Sequence, residues 1–172
     1  PVKTGTKALI GLSGQSGSGK TYSALLIAKG MVNGDMSKVC LIDTENGRGT
    51  HYCDDDQVSG YQYARFNPPY SPQRYIDAVK SAQKAGFEVC IIDSITHEWD
   101  NDGGVLDQAR LIEESTKKAG LHCWAKPKAE HKRMVQSIMD CNMHIIATLR
   151  AKEKHKQVRA NGKTEIQSMG IM

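Results

Sequence analysis

Two rhythms of apolar and polar residues alternate along the chain. Short β-rich runs occur at "KALIGL" (7–12), "KVCLID" (38–43), "YQYARF" (61–66), "FEVCIID" (87–93) and "MHIIATL" (143–149), with a sixth predicted at "TEIQSM" (164–169). Between them the spacing turns helical: from 20 to about 32, from Pro72 to about 85 where Gly86 stops it, and roughly over 105–118 and 128–141, divided by Gly120 and Pro127. Several strand runs are apolar throughout, as expected for strands covered on both faces. Strands alternating with helices therefore predict an α/β fold with a mainly parallel β-sheet and helices on both faces. The 172 residues suffice for one sizeable core, so a single domain is expected over 1–172.

A parallel sheet of this kind receives ligands beyond the carboxyl ends of its strands. The first run ends in "GQSGSGKT", which satisfies G-x-x-x-x-G-K-[ST] at every required position. Glycines at 14, 17 and 19 let the backbone turn several amides toward one anion, and the helix that follows adds its positive dipole end. The nucleotide-binding residues are thus expected to be Gly14, Gln15, Ser16, Gly17, Ser18, Gly19, Lys20 and Thr21, with Tyr22 next in line. Lys20 is positioned to reach the β and γ phosphates, and the Thr21 hydroxyl to coordinate Mg²⁺.

A Mg²⁺–nucleotide site also needs a carboxylate at the end of a neighbouring buried strand. "VCIID" supplies Asp93 after four apolar residues, the Walker B pattern, with its contact to the metal direct or through water. The second strand ends in "LIDTEN", with Asp43 and Glu45. Glu45, two residues beyond the strand, is the better candidate to polarise an attacking water, whereas Asp43, nearer the apolar run, could anchor the strand end.

Charge is unevenly placed. Residues 150–163, "RAKEKHKQVRANGK", hold six of the 23 Lys and Arg but one of the 19 Asp and Glu, which leaves 17 basic and 18 acidic residues elsewhere. That run, with Asn161-Gly162 as a turn signal, reads as a basic hairpin able to follow a phosphate backbone. It lacks aromatic residues, so base stacking would have to come from Trp99 or Trp124. The five cysteines form no C-x-x-C pair and no four-ligand spacing with histidine, which argues against a disulfide framework and a structural zinc site. No apolar run approaches the roughly 20 residues needed to span a bilayer, and the amino terminus lacks the apolar centre of a secretory signal. A cytoplasmic location without a membrane partner is the expectation.

The phosphate loop, "LIDTEN", "CIIDS" and "HIIATLR" leading into a basic segment resemble, in order and spacing, the RecA-like P-loop NTPase core. More narrowly, "DTENGRG", "SPQRYIDAV", "IIDSITHEW" and "ATLRAKEKH" resemble the phage-encoded RecA-like ATPases that act as single-strand annealing recombinases. The resemblance implies an ATPase using ATP and Mg²⁺, with Glu45, Lys20 and Arg150 catalytic and Thr21 and Asp93 on the metal side. Thr148 and Lys152 would sense the γ-phosphate or touch nucleotide across a subunit boundary, although many RecA-like proteins carry glutamine where Thr148 stands. Residues 151–163 would form a DNA-facing loop, with Lys154, Lys156, Arg159 and Lys163 binding DNA, and the stretch from about Trp99 to Gly104 the other. The implied partners are single-stranded DNA, a single-strand DNA-binding protein and further copies of the chain in a ring or filament. The implied location is the host cytoplasm. Relatives of that type continue past another strand, so a chain cut short at Met172 is expected. Two rival readings use the same loop: a small-molecule kinase, and a nucleotide-dependent binding module with little hydrolysis.

Overall fold

The computed structural model describes residues 5–151 in full and the backbone of 153–160 and 163–171. Five strands form one wholly parallel sheet: β1 (Leu9–Gly14), β2 (Val39–Asp43), β3 (Gln62–Arg65), β4 (Val89–Asp93) and β5 (His144–Arg150), in the order β1-β5-β4-β2-β3. The fold is therefore α/β, with helices on both sheet faces.

The period-two pleat divides each central strand between two apolar layers. Val39 and Leu41 of β2, Val89 and Ile91 of β4 and Ile146 of β5 pack with Ala24, Leu25 and Ala28 of α1 (Lys20–Met31). Cys40, Ile42, Cys90, Ile92 and Ile145 face the other way. They meet Tyr75, Ile76 and Val79 of α2 (Pro72–Lys84), and Met134 and Ile138 of α5 (His122–Met139). Both faces are covered, and every residue of β2 and β4 is buried. Among the described residues, no helix is long and apolar enough to cross a membrane.

Two further helices, α3 (Thr96–Asp100) and α4 (Val105–Thr116), lie between β4 and α5. At five residues α3 is too short to show a helical period, and the sequence pattern misses it. Pro127 does not divide α5 as its spacing predicts. It lies buried in the second turn, where the missing N–H removes one ladder bond, yet the helix continues because Cys123, Pro127, Met134 and Ile138 all bury their side chains.

The basic segment also departs from the expected loop. Glu153–Ala160 is a strand, β6, paired antiparallel with β7 (Lys163–Ile171), in a register that sets Lys156 opposite Gln167 and Arg159 opposite Thr164. The hairpin inferred from Asn161-Gly162 is present, but its first arm is regular strand. Lys152 and the side chains of Lys154, Lys156, Arg159 and Lys163 lie outside the described residues.

Candidate nucleotide site

β1 ends at Gly14 and the chain turns through a loop into α1. A Cβ at Gly14 would lie 2.6 Å from the Ser18 hydroxyl, and Gly17 and Gly19 have φ of 81° and 82°, a region open to glycine at little cost. The loop thus closes tightly just before the helix begins. Lys20 Nζ turns back into it and donates to the carbonyls of Gly14 (2.9 Å) and Gln15 (2.7 Å).

Strand order decides what faces this loop. β5 lies between β1 and β4, with Gly14 opposite Arg150 and Leu12 opposite Thr148. The insertion brings the end of β5 between the loop and Asp93. Asp93, 3% exposed, accepts a hydrogen bond from Thr21 at 2.6 Å on one carboxylate oxygen and from Thr148 on the other. Residues 21, 93 and 148, far apart in sequence, thus meet at one carboxylate. The Asp93–Ser94 peptide that follows is cis.

β2 lies beside β4 with Asp43 level with Asp93. Asp43 accepts from the Glu45 amide (2.6 Å), the Gly49 amide (2.9 Å) and the Tyr63 hydroxyl (3.0 Å). Burial, and then the bond to Asp43, push the Tyr63 phenol up to about 12. With both oxygens engaged, Asp43 anchors the strand end, and Glu45 is carried out into the cleft by the turn through Asn46 (φ 56°) and Gly47 (φ 93°).

The Glu45 side chain is only 9% exposed. Arg150 grips it with two parallel bonds, Nε to Oε1 at 2.6 Å and a terminal nitrogen to Oε2. His97, buried on α3, brings Nε2 to 3.9 Å from the same Oε1. Burial lowers the His97 pKa below its ordinary value; Glu45 opposes that shift and Arg150 adds to it. The backbone fixes this corner too: Ile95 N donates to Thr148 O at 3.0 Å, and Arg150 N to the Thr96 hydroxyl at 2.9 Å.

These groups line a cleft of about 260 Å³ that holds Lys20, Thr21, Glu45, Asp93 and Arg150. Arg48, His51 and Tyr52, on the 3₁₀ turn after Gly47, close its outer side, and Arg48 donates to the Ser16 hydroxyl at 3.1 Å. Tyr22 does not line the cleft but packs its ring 5.6 Å from that of Tyr52. A larger groove of about 660 Å³ between α2 and α5, edged by Lys80, Lys132 and Arg133, lacks a matching set of carboxylates and hydroxyls. Of the tryptophans, Trp99 packs nearly perpendicular to the His131 ring and Trp124 lies under the Lys128 ammonium.

Thr21 and Asp93 offer a hard-oxygen pair of the kind Mg²⁺ takes when phosphates complete its shell. No group of three or more His, Cys, Asp or Glu among the described residues forms a metal cage of its own. Arg48, His51, Tyr52 and His97 are the lining or neighbouring groups that sequence reasoning missed. Only the aromatic-basic character of "GRGTHY" beside the acidic strand end could have flagged the first three.

A family model described as AAA domain matches residues 6–170. No curated protein gives a significant match. With a glycine-rich loop, a buried strand-end aspartate and a family match over nearly its whole length, the chain belongs to the AAA-domain family of P-loop, nucleotide-binding ATPase domains.

Proposed function

We propose that the protein hydrolyses Mg²⁺–ATP in this cleft and uses the nucleotide cycle to act on single-stranded DNA, in phage-type recombination or strand annealing. The observation that carries the hydrolytic reading is the convergence of Lys20, Thr21, Asp93 and Glu45 on one cleft. The loop amides and Lys20 would hold the phosphate chain, and Thr21 and Asp93 would hold Mg²⁺, which would supply neutralisation of phosphate charge. Glu45 accepts a proton from the water that attacks in line. Thr148 fixes Asp93 through its hydroxyl bond.

Release of the Arg150 grip is part of this reading. With both carboxylate oxygens engaged by Arg150, Glu45 is not free to take up a water. Arg150 ends β5 three residues before β6 begins, so the hairpin and the side chain that grips Glu45 are joined by a short stretch of backbone. The surplus of positive charge over 150–163 supports a polyanion as the hairpin's ligand, with Lys152, Lys154, Lys156, Arg159 and Lys163 on phosphates. Assembly into a ring or filament, and a single-strand DNA-binding protein as partner, complete the proposal.

Phosphate release from Mg²⁺–ATP, measured with and without single-stranded DNA at low and moderate salt, tests it. Stimulation by DNA that fades with salt is expected. Phosphate transferred to a metabolite instead of water would shift the assignment to a kinase. The Arg150 grip on Glu45 favours one second reading, a nucleotide-dependent binding module, and ATP binding without turnover under every condition would establish it.

A further inference from the structure

Glu45 has a second potential partner. Oε1, the oxygen bound by Arg150 Nε, is also 3.9 Å from His97 Nε2, about 1 Å beyond hydrogen-bond reach. Both side chains are nearly buried, at 5% and 9% exposure, while Arg150 is 38% exposed. If Arg150 turns outward to an anion, a buried carboxylate loses both of its charge-assisted bonds, a costly state unless another donor is at hand.

His97 is placed to be that donor. Its Nδ1 is buried without a hydrogen-bond partner, so a neutral ring is expected to keep its single proton on Nε2, the nitrogen facing Glu45. The Tyr70 ring lies 5.1 Å away and packs against the imidazole, and the Ile95 and Thr96 backbone bonds tie the start of α3 to β5. Glu45, Arg150 and Asp100 act on the ring by charge, and a hydrogen bond to the Thr44 backbone also favours its protonated form.

We infer that His97 is a positioning residue that takes over Glu45 when Arg150 lets go, holding Oε1 through Nε2–H so that Oε2 is left to accept the proton from water. The inference rests on the reading of Glu45 as the water-activating base. An imidazole suits the task because its one donor engages a single carboxylate oxygen where the guanidinium engages both. Protonation of His97 would restore a cation beside Glu45 and slow turnover on the acid side.

The test compares His97→Leu with His97→Gln, whose side-chain amide can present a donor where Nε2 stands. For ATP hydrolysis by the full chain, His97→Leu is expected to lower kcat roughly 10–100-fold with KM for ATP within about 3-fold of wild type. His97→Gln is expected to recover most of that loss and to weaken the fall of kcat on the acid side. Wild-type kcat in His97→Leu, or equal losses in both variants, would overturn the inference. Should His97→Leu fail to fold, the ¹⁵N imidazole signal of the wild-type chain against Arg150→Ala reads the same contact. Loss of the arginine should raise the His97 pKa and move the Nε2 resonance, and an unchanged signal would overturn the handover. Glu45→Gln, assayed in parallel, separates the two ideas. An active Glu45→Gln removes the base itself, whereas an inactive Glu45→Gln beside a fully active His97→Leu removes only the role of His97.

Discussion

Asp93 shows how one buried side chain carries both stability and chemistry. It sits at 3% exposure with two hydroxyl donors, so Asp93→Asn keeps a hydrogen-bonding group of the same shape and loses the charge. The stability cost should be small, about 1 kcal/mol, because the hydroxyls can turn to suit an amide. The Mg²⁺ concentration needed for half-maximal turnover should rise roughly 10–100-fold, and an Asp93→Asn chain with unchanged Mg²⁺ dependence would remove Asp93 from the metal side. His97 adds a pH dependence whose sign follows from burial. Its pKa is lowered in the folded chain from an ordinary 6.5, so the unfolded chain binds a proton first as pH falls. The stability His97 contributes is full above about 6.5 and is lost as pH falls through the lower folded value. The urea midpoint of wild type should therefore drop between pH 7.5 and 5.5 more than that of His97→Gln, and parallel curves would show that His97 is not buried neutral.

The junctions of β2 and β5 with the cleft show which parts of the site can be read from a sequence. Loop 14–21 and Asp93 are legible because each depends on local chemistry: glycines where the backbone must turn, and a carboxylate after an apolar run. The Arg150 pairing is not, since it joins residues 105 apart and exists only because β5 is inserted between β1 and β4. Helix α3 escapes because five residues show no period, and His97 is lost with it. Pro127 misleads because a propensity rule yields to burial in α5, and the length of the first hairpin arm is not legible because charge says nothing about whether a segment pairs as strand. The turn after β2 can be tested directly. A Cβ on Gly49 would stand 2.6 Å from Leu41 Cδ2 and 3.2 Å from the Tyr63 ring, with Leu41 fully buried. Gly49→Ala should destabilise by about 1–3 kcal/mol and displace Glu45, lowering turnover more than ATP affinity. Equal thermal midpoints for variant and wild type would show that the turn has room.

At the scale of the whole molecule, one face of the sheet edge gathers everything the proposed cycle needs. The loop after β1, the carboxylates after β2 and β4, and the arginine ending β5 all lie at the carboxyl ends of parallel strands, and the next two strands form the hairpin. A DNA-bound hairpin would then act on the cleft through Arg150, without a separate transmission element. Replacing Lys154, Lys156 and Arg159 together should weaken single-strand binding and flatten its log–log salt slope by about 0.7 for each phosphate no longer neutralised. An unchanged slope would return the segment to a solvated surface.

Glu45→Gln bears most directly on the central claim, that this cleft hydrolyses nucleotide with Glu45 as the base. The measurement is ATP binding and single-turnover phosphate release by wild type and variant, side by side and in the presence of single-stranded DNA. ATP affinity should stay close to wild type and phosphate release should slow by roughly 10²–10⁴-fold, the usual contribution of a general base. Phosphate release at the wild-type rate from Glu45→Gln would contradict that claim.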